Sequence, residues 1–221
     1  MTTPRIVAVN GGLGDPSSTR LLVDRIAEAV QRRLRSAQVE VIDLRDLAVD
    51  IGASMTTGFA AGAVRDAVTA VESADALIVA SPVFNASYSG LFKSFFDLVD
   101  VDAMAGKPVL IGATGGSPRH SMVLDHAMRP LFSYLRTVVV PTGVYAAAQD
   151  WAGTSGDTAT LSGRIDRAAG ELVALLGGGP SETAESDVVA EGAAKPLDRR
   201  QVAAEAAGIA NFARLLGNSA T

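Results

Sequence analysis

Residues 5–20 read RIVAVNGGLGDPSSTR, and the character of the chain changes three times within them. Ile6 to Val9 is a continuous apolar run. A run that does not alternate suits a strand buried on both faces. Gly11-Gly12 ends it, and a loop of glycine, proline and hydroxyl residues follows. From Ser18 onward Leu22, Ile26, Ala29, Val30 and Leu34 recur at helical spacing, which predicts a helix over 18–37. A buried strand feeding a helix through such a loop is the first half of a parallel strand–helix–strand unit.

The same alternation repeats downstream. Val39 to Asp43 reads as a second strand, 54–58 as a loop of small residues, and 60–72 as a helix with Val64, Val68 and Val71 on one face. Ala76 to Ala80 is a third strand, stopped by Ser81-Pro82. A helix over 89–99 carries the stripe Leu91, Phe92, Phe95 and Leu98, which fits either a core-facing helix or a subunit contact. Residues 107–113 form a fourth strand. Another helix starts at Ser121, with Pro130 kinking it. Residues 137–140 and 144–146 form a fifth strand region, where Pro141 implies a sheet edge or a bulge. Residues 161–176 are a last helix of this pattern. Strand and helix alternating five times predict an α/β fold: an open parallel sheet with helices on both faces. This domain spans 1–176. Residues 177–196 read as a linker, and 197–221 as a unit with an amphipathic helix over Leu197–Leu216.

Composition narrows the chemistry. The chain has 221 residues, no cysteine and two histidines, so thiol nucleophiles, thiolate metal sites and polyhistidine sites within one chain are excluded. His120 and His126 do not share a helical face, so no metal site is expected. The net charge of −5 argues against nucleic acid as a main partner. No apolar run is long enough for a membrane span, and the N-terminal residues lack a signal-peptide pattern. A soluble, cytoplasmic protein is expected.

In such a sheet, ligands bind outside the carboxyl ends of the strands at the topological switch point. Three loops therefore matter. The first, Gly11 to Arg20, opens onto a helix N-terminus that attracts anions. Ser17, Ser18, Thr19 and Arg20 offer donors to a phosphate, although Ser17 or Ser18 would equally serve as a helix cap. GLGDPS nearly matches the dinucleotide pattern GxGxxG, but Ser17 replaces the third glycine and Asp43 lies too far on to be its ribose acid. There is no Walker sequence. The second loop, Ser81 to Gly90, combines Pro82, Val83, Phe84 and Asn85: rigid and aromatic groups to flank a planar ligand, and an amide for its polar edge. The alternative is an ordinary connection, with Ser89 capping a helix and Phe84 buried. In the third, Thr114 to His120, Gly115-Gly116 permit positive φ and close backbone approach, or simply shape a turn.

SPVFNASYSGLFKSFFD, residues 81–97, resembles the SPxYxxSxxGxLKxxxD pattern of NAD(P)H-dependent FMN reductases. Residues 106–135, GKPVLIGATGGSPRHSMVLDHAMRPLFSYL, resemble the subgroup that partners luciferase-like flavin monooxygenases. Pro16 to Arg20 is similar to the family's hydroxyl-rich phosphate loop. Phe84 stands where relatives often have tyrosine, and Gly12 where many have serine. The resemblance covers about residues 5–176. It implies a flavodoxin-like, three-layer, doubly wound fold with a five-stranded sheet in the order 2-1-3-4-5. It also implies FMN, with NADPH or NADH as co-substrate. Gly12, Ser17, Ser18, Thr19 and Arg20 would hold the phosphate, and Pro82, Val83, Phe84 and Asn85 would line the ring. Thr114, Gly115, Gly116 and Ser117 would meet the ring's polar edge. Arg119 is a candidate for a nucleotide phosphate, for the flavin edge, or for a surface ion pair. No side-chain acid or base is required, since hydride passes from nicotinamide to flavin; the alternatives are a quinone or azo reductase of the same fold that retains its FMN, or a non-enzymatic flavodoxin-like electron carrier. A homodimer or homotetramer, and a separate flavin-dependent monooxygenase as partner, are further implications.

Overall fold

The computed structural model describes residues 3–151 and 160–177. Apart from Gly177, the linker and C-terminal helix expected from the sequence lie outside these residues. In chain order the strands are β1 (Arg5–Asn10), β2 (Gln38–Asp43), β3 (Ala76–Phe84), β4 (Ser87–Tyr88), β5 (Pro108–Gly115), β6 (Val138–Val139) and β7 (Val144–Ala147). The α-helices are α1 (Ser18–Arg33), α2 (Ala48–Thr57), α3 (Gly62–Ser73), α4 (Gly90–Phe96), α5 (Val101–Met104), α6 (Arg129–Tyr134), α7 (Ala148–Trp151) and α8 (Leu161–Leu175).

All strands of the main sheet are parallel. β1 lies between β2 and β3, and β5 follows β3. β6 and β7 share the other edge of β5, Val139 opposite Val109 and Val144 opposite Gly112. The expected order 2-1-3-4-5 is present, with its fifth place filled by two short strands on either side of Pro141.

Both faces are covered. Along β1, Val7 and Val9 enter one core while Ile6 and Ala8 enter the other. The face under α1 and α8 carries small residues: Ala8, Ala80 and Ala146. Gly112 belongs to this design, since a Cβ there would meet Leu22 Cδ2 at 3.3 Å. The opposite face is filled by larger groups. Phe92, Phe95 and Phe96 of α4 pack with Phe132 of α6, ring centroids 4.8–5.3 Å apart within the Phe92–Phe96, Phe95–Phe96 and Phe96–Phe132 pairs. The α4 stripe thus faces the core.

Several local expectations are corrected. Residues 54–57 are helical, not a loop. Within α2 the Ser54 hydroxyl donates to Asp50 O at 2.7 Å, and the helix ends at Gly58, whose φ of 82° is the left-handed C-terminal geometry that glycine favours. β3 does not stop at Ser81-Pro82. Ala80 O accepts Gly11 N–H at 2.8 Å, so alternate residues turn their backbone toward β1. Pro82 falls past the end of β1, and its missing N–H costs no ladder bond. β3 then turns back on itself, with Val83 opposite Tyr88 and Phe84 opposite Ser87. The segment from Ser121 is not one kinked helix. A 3₁₀ turn (Pro118–Met122) and a π turn (Leu124–Met128) precede α6, and the widened turn absorbs the amide that Pro130 lacks.

At the amino end of β5, Lys107 is buried. Its ammonium donates to Glu72 O and Ala74 O, capping the carbonyls at the end of α3. Burial holds its pKa below the ordinary lysine value, against the opposing pull of Asp75 and Glu72. Among the described residues no single helix is long and apolar enough to cross a membrane.

Candidate active site at the carboxyl ends of the strands

The chain leaves β1 toward β2 on one side and later returns to β3 on the other. The switch point therefore lies between β1 and β3. Because β1, β3 and β5 are neighbours, the loops that follow them share one rim.

Ser17 is the N-cap of α1, its Oγ accepting Arg20 N–H at 3.1 Å. Ser18 is exposed, and its hydroxyl has no partner among the described residues. The first-turn N–H groups of Ser18 and Thr19 lie beyond the reach of intrahelical acceptors. An anion fits this donor set. The Thr19 hydroxyl serves differently: it bonds Thr114 Oγ1 at 2.7 Å, and both residues are buried. That contact ties the first loop to the third. Arg20 is also committed, its guanidinium bound by Asp24 and Asp43. Asp24 above all, with Asp43, raises its already high pKa.

Gly12 is forced by its surroundings. A Cβ there would lie 2.2 Å from Ser17 Oγ and 3.0 Å from Asn10 Oδ1. Asn10, which the sequence did not single out as functional, organises this corner. It accepts Gly12 N–H at 3.0 Å and donates to Asp43 Oδ1 at 2.7 Å. A cleft of about 340 Å³ opens here, bounded by Asn10, Gly12, Ser17, Arg20, Asp43 and Arg45. Alternation places Asn10 and Asp43 at strand ends, but nothing in one sequence says that their side chains meet.

The second loop is a hairpin. Asn85 (φ 47°) and Ala86 (φ 64°) form its two-residue turn, both in left-handed geometry. Phe84 is 47% exposed beside them, while Val83 and Pro82 are half-buried. Ser89 caps α4 by accepting Phe92 N–H, and its own N–H is held by Ser81 Oγ at 2.9 Å. The hairpin is thus anchored at its base and presents a ring at its tip.

In the third loop, neither Gly115 nor Gly116 adopts positive φ. Gly116 faces open space, with nothing within 4 Å of a Cβ placed there. Ser117 Oγ accepts Arg119 N–H at 3.3 Å and starts the 3₁₀ turn. The Arg119 side chain is exposed and has no ion pair among the described residues, unlike Arg20, Arg45, Arg129 and Arg164. Asp125 and Arg129, four residues apart, form an ion pair at 3.0 Å. No cluster of metal-ligating side chains occurs among the described residues.

A helix N-terminus with free first-turn N–H groups, a ring-bearing hairpin and a clear backbone edge surround the switch point of a flavodoxin-like fold. The chain belongs to the NADPH-dependent FMN reductase family, whose model matches residues 4–152. Among its relatives is an FMN reductase (NADPH) of Pseudomonas aeruginosa, 42% identical over 82% of this chain and 97% of that protein. Another is the NADH-dependent FMN reductase SfnF of Pseudomonas fluorescens, 40% identical over 78% of this chain and 92% of its own. An oxidoreductase from Corynebacterium diphtheriae superposes with a TM-score of 0.74 at 45% identity, covering 79% of this chain and 97% of that one. The chain is accordingly an oxidoreductase that uses FMN and a reduced nicotinamide nucleotide.

Proposed function

We propose that this enzyme reduces FMN at the rim of β1, β3 and β5 and hands it, as a released product, to a separate flavin-dependent monooxygenase. The observation that carries the reading is the convergence of the three loops on one switch point. The phosphate would rest on the first turn of α1, held by Ser17, Ser18 and backbone N–H groups, with Gly12 leaving room for the cap. Thr19 and Arg20 would act by shaping that turn. Pro82, Val83, Phe84 and Asn85 would flank the ring, and Thr114 to Ser117 would border its polar edge. FMN, when bound, supplies the redox chemistry by accepting hydride from the nicotinamide. The chain binds, orients and shields. Exposure of Phe84 and Leu13 on the rim supports exchange of FMN as a substrate. Residues 106–135, which resemble the monooxygenase-partnered subgroup, support delivery.

Anaerobic mixing of the protein with FMN and NADPH or NADH should bleach the flavin and oxidise the nucleotide. Oxidation of neither nucleotide overturns the reading. Weak FMN binding with sequential kinetics supports release, whereas tightly held FMN with ping-pong turnover overturns delivery.

Arg119 would receive a phosphate of the nicotinamide nucleotide, since its guanidinium is unpaired beside the open edge at Gly116. Arg119→Ala should raise the nucleotide KM about tenfold, the worth of a charge-assisted hydrogen bond, with kcat little changed. Comparing NADPH with NADH separates a contact to the 2′-phosphate from one to the pyrophosphate, and an unchanged KM for both removes Arg119 from the site. We also propose a cytoplasmic homodimer or homotetramer, read out by mass in solution. Exposed Met122 and Tyr134 on the segment between β5 and β6 support self-association.

A further inference from the structure

We infer that Tyr145 is a positioning residue that sets the shape of the third loop and, through it, the hold on flavin. This rests on the reading of that loop as the flavin's edge. Tyr145 lies on β7 opposite Ala113 of β5 and is 7% exposed. Its hydroxyl donates to Ser117 O at 2.7 Å, the residue from which the 3₁₀ turn and Arg119 depart.

The same hydroxyl explains Gly115. A Cβ on Gly115 would lie 2.3 Å from Tyr145 Oη. Backbone torsion does not demand glycine there, because φ is outside the left-handed region. Proximity to the phenol does. Gly116, next in the chain, meets nothing. The two glycines therefore have different reasons: one admits the tyrosine, the other leaves the edge clear.

Tyr145 is itself braced from behind. Arg164 of α8 donates to Tyr145 O at 3.1 Å and to Asp150 Oδ1 at 2.9 Å. Asp150 Oδ2 accepts Ala147 N–H at 2.8 Å and locks the end of β7. Burial, reinforced by the charge of Asp150, raises the phenol pKa, so the hydroxyl keeps its proton at neutral pH and remains a donor. The brace runs from α8 through the outer strand to the loop. A cleft of about 360 Å³, bounded by Pro118, Ser121 and Tyr145 among others, gives the loop room to shift once the hydroxyl is gone.

The test uses Tyr145→Phe, Gly115→Ala and the double variant, with FMN titration, steady-state kinetics and thermal melting of the flavin-free proteins. Tyr145→Phe should weaken FMN binding about fivefold, the worth of one hydrogen bond, with kcat at saturation within about twofold. Gly115→Ala should weaken it by more than about tenfold and lower the melting temperature, as overpacking does. In the double variant the nearest approach relaxes from 2.3 Å at the hydroxyl to 3.3 Å at the ring carbon Cζ, which a small shift of the ring relieves, so FMN affinity should return most of the way to the Tyr145→Phe level and the melting temperature should largely recover. Additive losses in the double variant overturn the inference, because Gly115 would then be required by the ligand and not by the tyrosine. Unchanged FMN affinity in Tyr145→Phe also overturns it. Wild-type protein that neither binds FMN nor oxidises nucleotide defeats the proposed function instead, while the melting temperatures still decide whether Tyr145 and Gly115 are coupled.

Discussion

Ala86 holds a backbone geometry that L-residues avoid. Its φ of 64° follows that of Asn85 at 47°. Two-residue hairpins whose central residues both have positive φ favour Asn-Gly, and here the second position lacks its glycine. The left-handed region costs a residue with a Cβ roughly 1–2 kcal/mol. Ala86→Gly should therefore stabilise the protein by about 1 kcal/mol after allowing for glycine's greater freedom when unfolded. Urea denaturation measures it, and a loss of stability would show that the alanine methyl makes a contact worth more than the strain. Strain at a ring-bearing tip is of the kind found where a site needs a fixed shape. The same scale shows what one sequence conceals. Ser17, Ser18 and the glycines were legible as a candidate anion loop because their chemistry is local. The pairing of Thr19 with Thr114, across 95 positions, was not. Nor was the commitment of Arg20 to Asp43, because tertiary contacts decide which donors remain free.

Among the elements, α4 carries the largest share of aromatic packing. Phe96 touches Phe92, Phe95 and Phe132 and is 2% exposed. Phe96→Ala should cost about 3–5 kcal/mol, the usual penalty for emptying a buried ring site. That is a large part of a typical total of about 5–15 kcal/mol, and the denaturation midpoint should fall accordingly. A change within about 1 kcal/mol would mean that the cluster collapses to fill the space. The α4 stripe was visible in the sequence because its period is helical. Its direction was not, since core-facing and partner-facing stripes look alike. α2 was missed for the opposite reason: Ala48–Thr57 is rich in poor helix formers, and tertiary packing with its C-terminal glycine overrides propensity. The breadth of β3 was also hidden, because proline normally ends a strand and only sheet topology reveals that Pro82 lies past its neighbour.

For the whole molecule, the alternation of strand and helix was enough to read the architecture, since parallel sheets covered on both faces need those continuous apolar runs. Its stability should carry a mark of Lys107. The folded pKa lies below the ordinary value of 10.5 because burial penalises the ammonium. Between those two values the unfolded chain holds a proton that the folded chain has released, so stability rises with pH across that window and loses this contribution as pH falls through the folded value. Tyr145 acts in the opposite sense: its folded pKa is raised, so its contribution is present below 10.0 and lost as pH climbs through the folded value. Comparing wild type with Lys107→Met cancels the tyrosine. The stability difference between the two should shift in favour of wild type as pH approaches 10.5, and a flat difference would remove Lys107 as its source.

The outer rim of the sheet is interrupted after two residues of β6, and Pro141 separates it from β7. The opposite rim, β2, exposes Gln38 and Glu40, with Glu40 held by Arg5 at 3.2 Å. Among the described residues neither rim offers the long, flat, apolar template on which another chain's strand could be added. This sheet is thereby poorly suited to seeding fibrils, and concentrated solutions of the folded protein should resist intermolecular strand growth even though its central strands β1 and β3 carry long aliphatic runs.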